Sequence, residues 1–436
     1  LHHLITAIKL VYASTYYEDA KAFSRSTSSQ PQEEAMAVII QQLTGEEYGD
    51  YFYPAISGVA QSHNFYPVSK MKPEEGIAHI AMGLGKTVVE GGKSLRFSPR
   101  YPQLLPQFST VEDILKNAQR FFFALNLQHF SNDFDTLQKF SDDVTLVKIE
   151  VDAAGDHPAV RHLCSTYNPQ DHRIRDVYSP QGYPVVTFAS ILKYQSFPLP
   201  DILTEILEIG RRGMGCPVEI EFAVKLPFNG EGQNEFALLQ IRPMAISRHD
   251  RRVDITQEDM ATAFCYSSMA LGHGWDRSIS DIIFVCPDTF NPSQTVAIAK
   301  EIGFLNGRLV AANRKYLLVG PGRWGSADRW LGIPATWSEI SGVGAMVETR
   351  AEDLNADPSQ GSHFFHNITS LGISYLNLVE NGKDFIDWRW LATLPVAGAT
   401  AYVKHVNLER PITIKIDGKT SRAVLMKPAA PESEPD

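Results

Sequence analysis

The sequence predicts a mixed fold, α+β in its first part and α/β in its second, with a small β element near the end. Three observations carry this. Two strand-like stretches, 217–223 (PVEIEFA) and 238–243 (LLQIRP), flank a turn-rich loop. Residues 199–213 carry apolar side chains at helical spacing, and a strand, a helix and a second strand follow one another between 281 and 319. A length of 436 residues with 44% hydrophobic residues favours two or three domains and supplies ample core.

Taken in order, residues 98–107 contain Pro99, Pro102 and Pro106 and read as an irregular connection. Over 199–213, Ile202, Ile206 and Ile209 predict a helix packed by that face and ended by Gly213 and Gly215. Side chains alternate across a strand, so Glu219 and Glu221 share one face while Val218, Ile220 and Phe222 share the other. Gln240 and Arg242 share a face in the same way. Between them lie Asn229, Gly230, Glu231 and Gly232, which predict an antiparallel hairpin. Two carboxylates, an amide and a guanidinium then project from one sheet face. Hard cations such as Mg²⁺ take carboxylate oxygens and keep water and phosphate as further ligands, and Arg grips phosphate with its planar fork. The set suits a metal-bound polyphosphate; a solvated face with a Glu–Arg cross-strand pair is the other reading of the same residues.

The polar run 247–252 (SRHDRR) predicts a boundary, and 254–259 (DITQED) a new element. The organisation expected is a first domain over 1–246, a second over 253–428 and a disordered Pro- and Glu-rich tail over 429–436. In the second, 281–286 (DIIFVC) reads as a buried strand. Asn291, Pro292, Ser293 and Gln294 start a helix bearing Val296, Ile298, Ala299 and Ile302, which Gly303 or Gly307 stops. Residues 316–319 (YLLV) form the next strand, completing the βαβ unit of a parallel sheet.

That strand leads into 320–326 (GPGRWGS), a candidate anion site in which backbone N–H groups around Gly322 join Arg323 and Ser326. A tight turn packing Trp324 and Trp330 is the alternative. The spacing is neither that of a P-loop nor that of a dinucleotide fold. His363 and His366 stand three apart on a predicted helix; with Phe364 and Phe365 pointing to burial, His363 is the better functional candidate. Segments 400–405, 412–416 and 423–426 alternate or run apolar, and Asp417, Gly418 and Lys419 signal a hairpin turn, which predicts the small terminal β element.

A net charge of −10 without a run of Lys or Arg argues against a nucleic-acid partner. The longest apolar runs, such as 121–127 (FFFALNL), fall far short of the roughly 18 residues a membrane helix needs. Cys164, Cys216, Cys265 and Cys286 are widely spaced and read as free thiols of a reducing cytoplasm. His157, His162 and Cys164 lack the second pair that a zinc site requires.

Residues 219–223 (EIEFA) followed by 238–243 (LLQIRP) resemble the end of the ATP-binding domain of the phosphoenolpyruvate synthase and pyruvate phosphate dikinase family, where a D-I-E strand precedes an L-Q-x-R-P strand. Four earlier segments match in family order. Residues 7–14 (AIKLVYAS), with Ala20 and Phe23, resemble its helix with a V-W-A-S core. Residues 36–41 (MAVIIQ) resemble its M-A-V-V-V-Q strand, 56–60 (ISGVA) its S-G-V strand, and 83–91 (GLGKTVVEG) its G-L-G-E-x-V-V-x-G segment. The resemblance covers about residues 5–246, with an insertion between about 103 and 173 that matches no motif.

The resemblance implies an ATP-grasp fold, in which nucleotide lies between two α+β lobes and Mg²⁺ bridges its phosphates, and an ATP-dependent phosphotransferase with pyruvate as the family acceptor. By position it makes Glu221 and Gln240 metal ligands, Glu219 an accessory ligand and Arg242 the catalytic phosphate contact. Gln41 falls near the adenine hinge, and Gly83 and Gly85 join the cofactor-binding set. The expected partners are ATP and a small phosphate acceptor, with a homodimer left open. Glu219 departs from the family's Asp, and Lys86 from its Glu. The chain opens at Leu1 inside the resemblance, so a fragment is expected, without the lobe that carries a nucleotide-binding Lys and an R-S-S strand; 25–29 (RSTSS) follows the V-Y-A-S helix instead of preceding it. The family's phosphohistidine and barrel motifs do not occur in this sequence. The alternative is a non-catalytic nucleotide-sensing or scaffold protein that keeps an ATP-grasp shell.

Overall fold

The computed structural model describes residues 2–17, 20–21, 36–128, 145–227, 232–244, 253–285, 290–326, 328, 330–350, 362–379, 382–418 and 420–428. The segment 25–29, Phe23, the turn residues Asn229 to Glu231, the polar run 247–252, Cys286, Lys419 and the tail 429–436 lie outside them. The chain forms two compact units. One comprises Leu1–His3, Ile39–Met244 and Gly361–His363; the other comprises Leu4–Val38, Ala245–Gln360 and Phe364–Asp436. Helix α1 (His2–Ser14) carries the V-Y-A-S motif.

The strands of the first unit are β1 (Glu46–Tyr48), β2 (Tyr51–Tyr53), β3 (Ile56–Gln61), β4 (Ile77–Ala81), β5 (Leu95–Phe97), β6 (Phe121–Asn126), β7 (Leu146–Glu150), β8 (Cys164–Asn168), β9 (Arg173–Arg175), β10 (Tyr183–Val186), β11 (Val218–Lys225) and β12 (Glu235–Pro243). Five of them form an antiparallel sheet in the order β12-β11-β3-β4-β5. Two smaller sheets, β1-β2-β6-β7 and β10-β8-β9, complete the unit. Its helices are α2 (Lys86–Val89), α3 (Val111–Asn117), α4 (Pro158–Leu163), α5 (Ala189–Leu192) and α6 (Leu199–Met214).

Alternation works on β11 as the sequence requires: Val218, Ile220, Phe222 and Val224 are buried in one core with Phe97, Phe122 and Leu203. Phe222 finds room because Gly58 stands opposite on β3, where a Cβ would lie 2.5 Å from the ring. Helix α6 packs behind this hairpin, with the expected Ile202 and Ile206 partly buried against the core at the edge of the contact. Leu199, Leu203, Leu207 and Gly210 are buried, whereas Ile209 is 52% exposed. Gly210 sets the contact, since a Cβ there would approach Ile241 and Val218 to 2.8 and 3.0 Å. Gly215, at φ 66°, ends the helix.

A second expectation is corrected at 36–41, which forms no strand. Residues 36–45 have no ladder partner among the described residues, and Ile39 and Ile40 are 82% and 66% exposed. An unbroken apolar run has no alternation to set a register. What ties the segment to the sheet is a side-chain bond, Gln41 Nε2 donating to the Leu239 carbonyl at 3.1 Å.

The strands of the second unit are β13 (Ala263–Ser267), β14 (Met269–Leu271), β15 (Gly274–Asp276), β16 (Asp281–Val285), β17 (Tyr316–Pro321), β18 (Arg323–Trp324), β19 (Gly332–Ile333), β20 (Val343–Thr349), β21 (Ser374–Asn377), β22 (Phe385–Ile386), β23 (Val396–Ala399), β24 (Val403–Asn407), β25 (Thr413–Asp417) and β26 (Arg422–Met426). Its helices are α7 (Gln257–Ala261), α8 (Thr295–Ala311), α9 (Trp337–Ile340), α10 (His363–Ser370, grouped here from Phe364 onward) and α11 (Trp388–Thr393). The main sheet runs β14-β21-β20-β17-β16-β24-β23, with β16, β17, β20 and β21 parallel. Ile282, Phe284, Leu317 and Val319 on one of its faces share a core with Ile414, Ile416 and Leu425 of the sheet β15-β25-β26-β13-β22.

Two expectations change here as well. Helix α8 passes through Gly303 and Gly307 to Ala311, because burying Ile298, Ile302, Leu305 and Leu309 outweighs the roughly 1 kcal/mol each glycine costs. The terminal strands are not a separate element: β24 pairs with β16 in the main sheet, while β25 and β26 build the second.

Candidate functional site

The hairpin β11–β12 sets Glu219 opposite Arg242 and Glu221 opposite Gln240. Paired residues share a face, so the predicted four converge. Their states differ. Glu219 is 2% exposed, with Oε1 accepting from Arg242 Nε at 2.7 Å and from Arg242 Nη2, and Oε2 accepting from Gln61 Nε2. Glu221 lies further out, 3.6 Å from Arg242 Nη2. His363, grouped with this unit, brings its Nε2 to 3.4 Å from Glu221 Oε1.

Glu219 is therefore committed to holding Arg242, and Glu221 and Gln240 are the oxygen donors presented outward. Gln61 was missed at the sequence level. Its signal was a polar residue closing the buried strand 56–61, directly across from Glu219 in register.

A one-residue irregularity follows Glu221: the next pair is Phe222 with Leu238, which leaves Leu239 out of the ladder. Beyond it the same face carries Ala223 opposite Ala237 and Lys225 opposite Glu235. There a cleft of about 760 Å³ opens, lined by Lys225, Glu235, Leu238 and Leu239 on the hairpin and by residues 41–47 on the other wall. Glu46 lies on its floor 3.9 Å from Lys225; burial raises its carboxyl above the usual range, with the Lys225 charge pulling the other way. Gln41 lines this cleft.

Gly83 and Gly85 lie between β4 and α2. Gly83 has φ 83°, and its neighbour Leu84 donates its N–H to the Phe123 carbonyl at 2.8 Å, which pins the loop. Val88 packs on Val59 and Ala81, on the face that bears Glu221. Gly85 lies over Ser57, whose buried hydroxyl has no hydrogen-bond partner among the described residues. Lys86 pairs with Glu90 at 3.4 Å and lies over the Phe123 ring.

The loop at Gly322, Arg323 and Ser326 belongs to the second unit and is tightly committed. Gly322 N–H donates to Thr349 O, Arg323 N–H to Leu331 O, Trp324 N–H to Glu348 Oε1 and Gly325 N–H to Ile333 O. The backbone donors that an anion would use are spent inside the fold. Trp324 is fully buried as a turn anchor, while Trp330 stays 56% exposed.

Among the described residues no three His, Cys, Asp or Glu side chains gather as a metal cluster. A divalent ion on this face would rest on Glu221 and Gln240, with phosphate and water filling its other positions, as Mg²⁺ accepts.

A family model described as pyruvate phosphate dikinase, AMP/ATP-binding domain, matches residues 1–263. The chain belongs to that family. No curated protein matches it. The pyruvate phosphate dikinase match takes in the hairpin, the cleft and the Gly83 loop, so these lie in an adenine-nucleotide-binding domain. Among the described residues no helix is long and apolar enough to cross a membrane.

Proposed function

We propose that the first unit binds ATP with Mg²⁺ along the open face of the β11–β12 hairpin, in the ATP-grasp manner, and acts in phosphoryl transfer with pyruvate as the family acceptor. One observation carries this reading. A single sheet face has a roomy cleft at one end and the Glu221–Gln240–Arg242 group at the other. Lys225 and Glu221 are four residues apart, about 13 Å at roughly 3.3 Å per residue, a span suited to a nucleotide laid along the strand. The base fits the cleft between Leu238, Leu239 and the 41–47 wall.

Bound Mg²⁺ would withdraw charge from the phosphate oxygens. Arg242, held at fixed orientation by Glu219, directs its guanidinium at charge developing on the transferred group. Glu221 and Gln240 hold the ion, and the orphaned Ser57 hydroxyl fits a polar ligand over the same sheet. Titration calorimetry with Mg·ATP tests the reading. Glu221→Ala is expected to lower affinity at least a hundredfold, of the order of 3 kcal/mol; unchanged affinity would sink the assignment.

A second reading, a nucleotide sensor without turnover, draws on Lys86. Its ammonium stands where the family has a carboxylate and is occupied by Glu90. Isotope exchange between ATP and its products separates the two, since only the transferase supports it.

A further inference from the structure

We propose that the first unit has a second small-molecule site, apart from the nucleotide cleft, and that it takes a free amino acid with an aromatic side chain. A cavity of about 460 Å³ is lined by β6, β7, β8 and β10 and by the end of helix α3. That volume is within the roughly 300–1,000 Å³ of small-ligand pockets. The cavity shares no lining residue with the cleft beside Lys225, and most of its lining comes from 103–173, the stretch that matches no family motif.

The lining has the three parts such a ligand needs. Phe121, Tyr167 and Tyr183 supply rings; Tyr167 and Tyr183 stand opposite each other in register, and Tyr183 is 59% exposed. Arg120, Glu150 and Asp152 supply charge of both signs. Neither carboxylate has an ion-pair partner among the described residues. Arg120 makes one long contact, from Nη2 to the Leu115 carbonyl at 3.4 Å, which leaves most of its five donors available. A simple cation would meet Arg120 and a simple anion the two carboxylates, whereas a ligand with both an ammonium and a carboxylate pairs with each, and the rings take its side chain. The walls are built in advance, which lowers the cost of binding. Buried Gln119 accepts from Met82 N–H at 2.8 Å and donates to the Met82 and Phe121 carbonyls at 2.9 and 2.8 Å. The Tyr167 hydroxyl hydrogen-bonds His172 Nδ1 at 3.1 Å, and His172 Nε2 reaches Glu112 of α3 at 2.8 Å.

Titration calorimetry of the full chain with L-phenylalanine, phenethylamine and hydrocinnamate tests this, since the first carries both charges and the others one each. L-phenylalanine is expected to bind about tenfold more tightly than either, with or without saturating Mg·ATP. Arg120→Gln should erase its advantage over phenethylamine, Glu150→Gln should reduce its advantage over hydrocinnamate, and Tyr183→Ala should weaken all three. These side chains are exposed, so the variants are expected to fold, which circular dichroism checks. No binding of any of the three overturns the proposal. So does equal binding of all three, or an affinity for L-phenylalanine that no variant changes. Displacement of L-phenylalanine by Mg·ATP would put it in the nucleotide cleft and overturn the second site. If Mg·ATP itself does not bind, the nucleotide reading falls and this one stands.

Discussion

Glu219 is the residue whose role the structure most alters. Its alternation with Glu221 was plain in V-E-I-E, but alternation says which face a carboxylate takes, not which partner reaches it first. Partnership depended on Gln61, a strand from a distant part of the chain, and on register that no local pattern encodes. Removing Glu219 strands a part-buried guanidinium, so Glu219→Ala is expected to destabilise the first unit by about 3–5 kcal/mol in urea unfolding, while Glu221→Ala costs little. Comparable losses for the two would contradict their different states. In the second unit, Glu348 is buried, and burial holds its carboxyl above the ordinary 4.5 despite donors from Tyr375, Trp324 N–H and Asn377. A carboxyl raised in this way contributes most below pH 4.5 and loses that contribution as pH rises towards its folded value. The stability cost of Glu348→Gln should therefore shrink from pH 4.5 to pH 8, measured by denaturant midpoint; a cost that grows with pH would reverse the assignment.

Elements were legible wherever polarity marked a period. The hairpin was readable because charges fell on alternate positions of apolar strands, and the βαβ unit because short apolar runs bracketed a capped helix. Segment 36–41 had no such mark; it forms no strand, and Gln41 at its end lines the cleft. The stop expected at Gly303 or Gly307 failed because helix propensity weighs about 1 kcal/mol and the buried face of α8 several times that. Gly307 meets nothing within 4 Å of an added Cβ, so Gly307→Ala should raise the melting temperature of the second unit, by up to about 1 kcal/mol in stability. At Gly303 the Cβ would come 2.9 Å from Glu339 Cγ, and the gain should be smaller or absent. Equal gains at both positions would argue against that contact.

At the scale of the whole chain, each unit has its own buried core, one around Phe97, Phe122 and Phe222, the other around Phe264, Leu317 and Leu425. Calorimetry is expected to resolve two unfolding steps, with Mg·ATP raising one and leaving the other in place. A single step displaced as a whole would show that the cores do not melt separately. The nucleotide-binding part was legible because five short motifs survive in order. The second part had no such motifs, and its terminal strands could not be assigned to two different sheets from their own alternation, since pairing between β24 and β16 links residues more than a hundred positions apart.

The misfit at Leu239 divides the hairpin into two ladders in series, one ending at Glu221–Gln240 and one beginning at Phe222–Leu238. A joint of this kind changes twist locally. The half of the face that would grip phosphate and the half that borders the cleft are thus out of phase by one residue, free to differ in curvature while sharing the same two strands. A chain shortened by Leu239 would have one continuous ladder, and would lose with it the carbonyl that Gln41 holds.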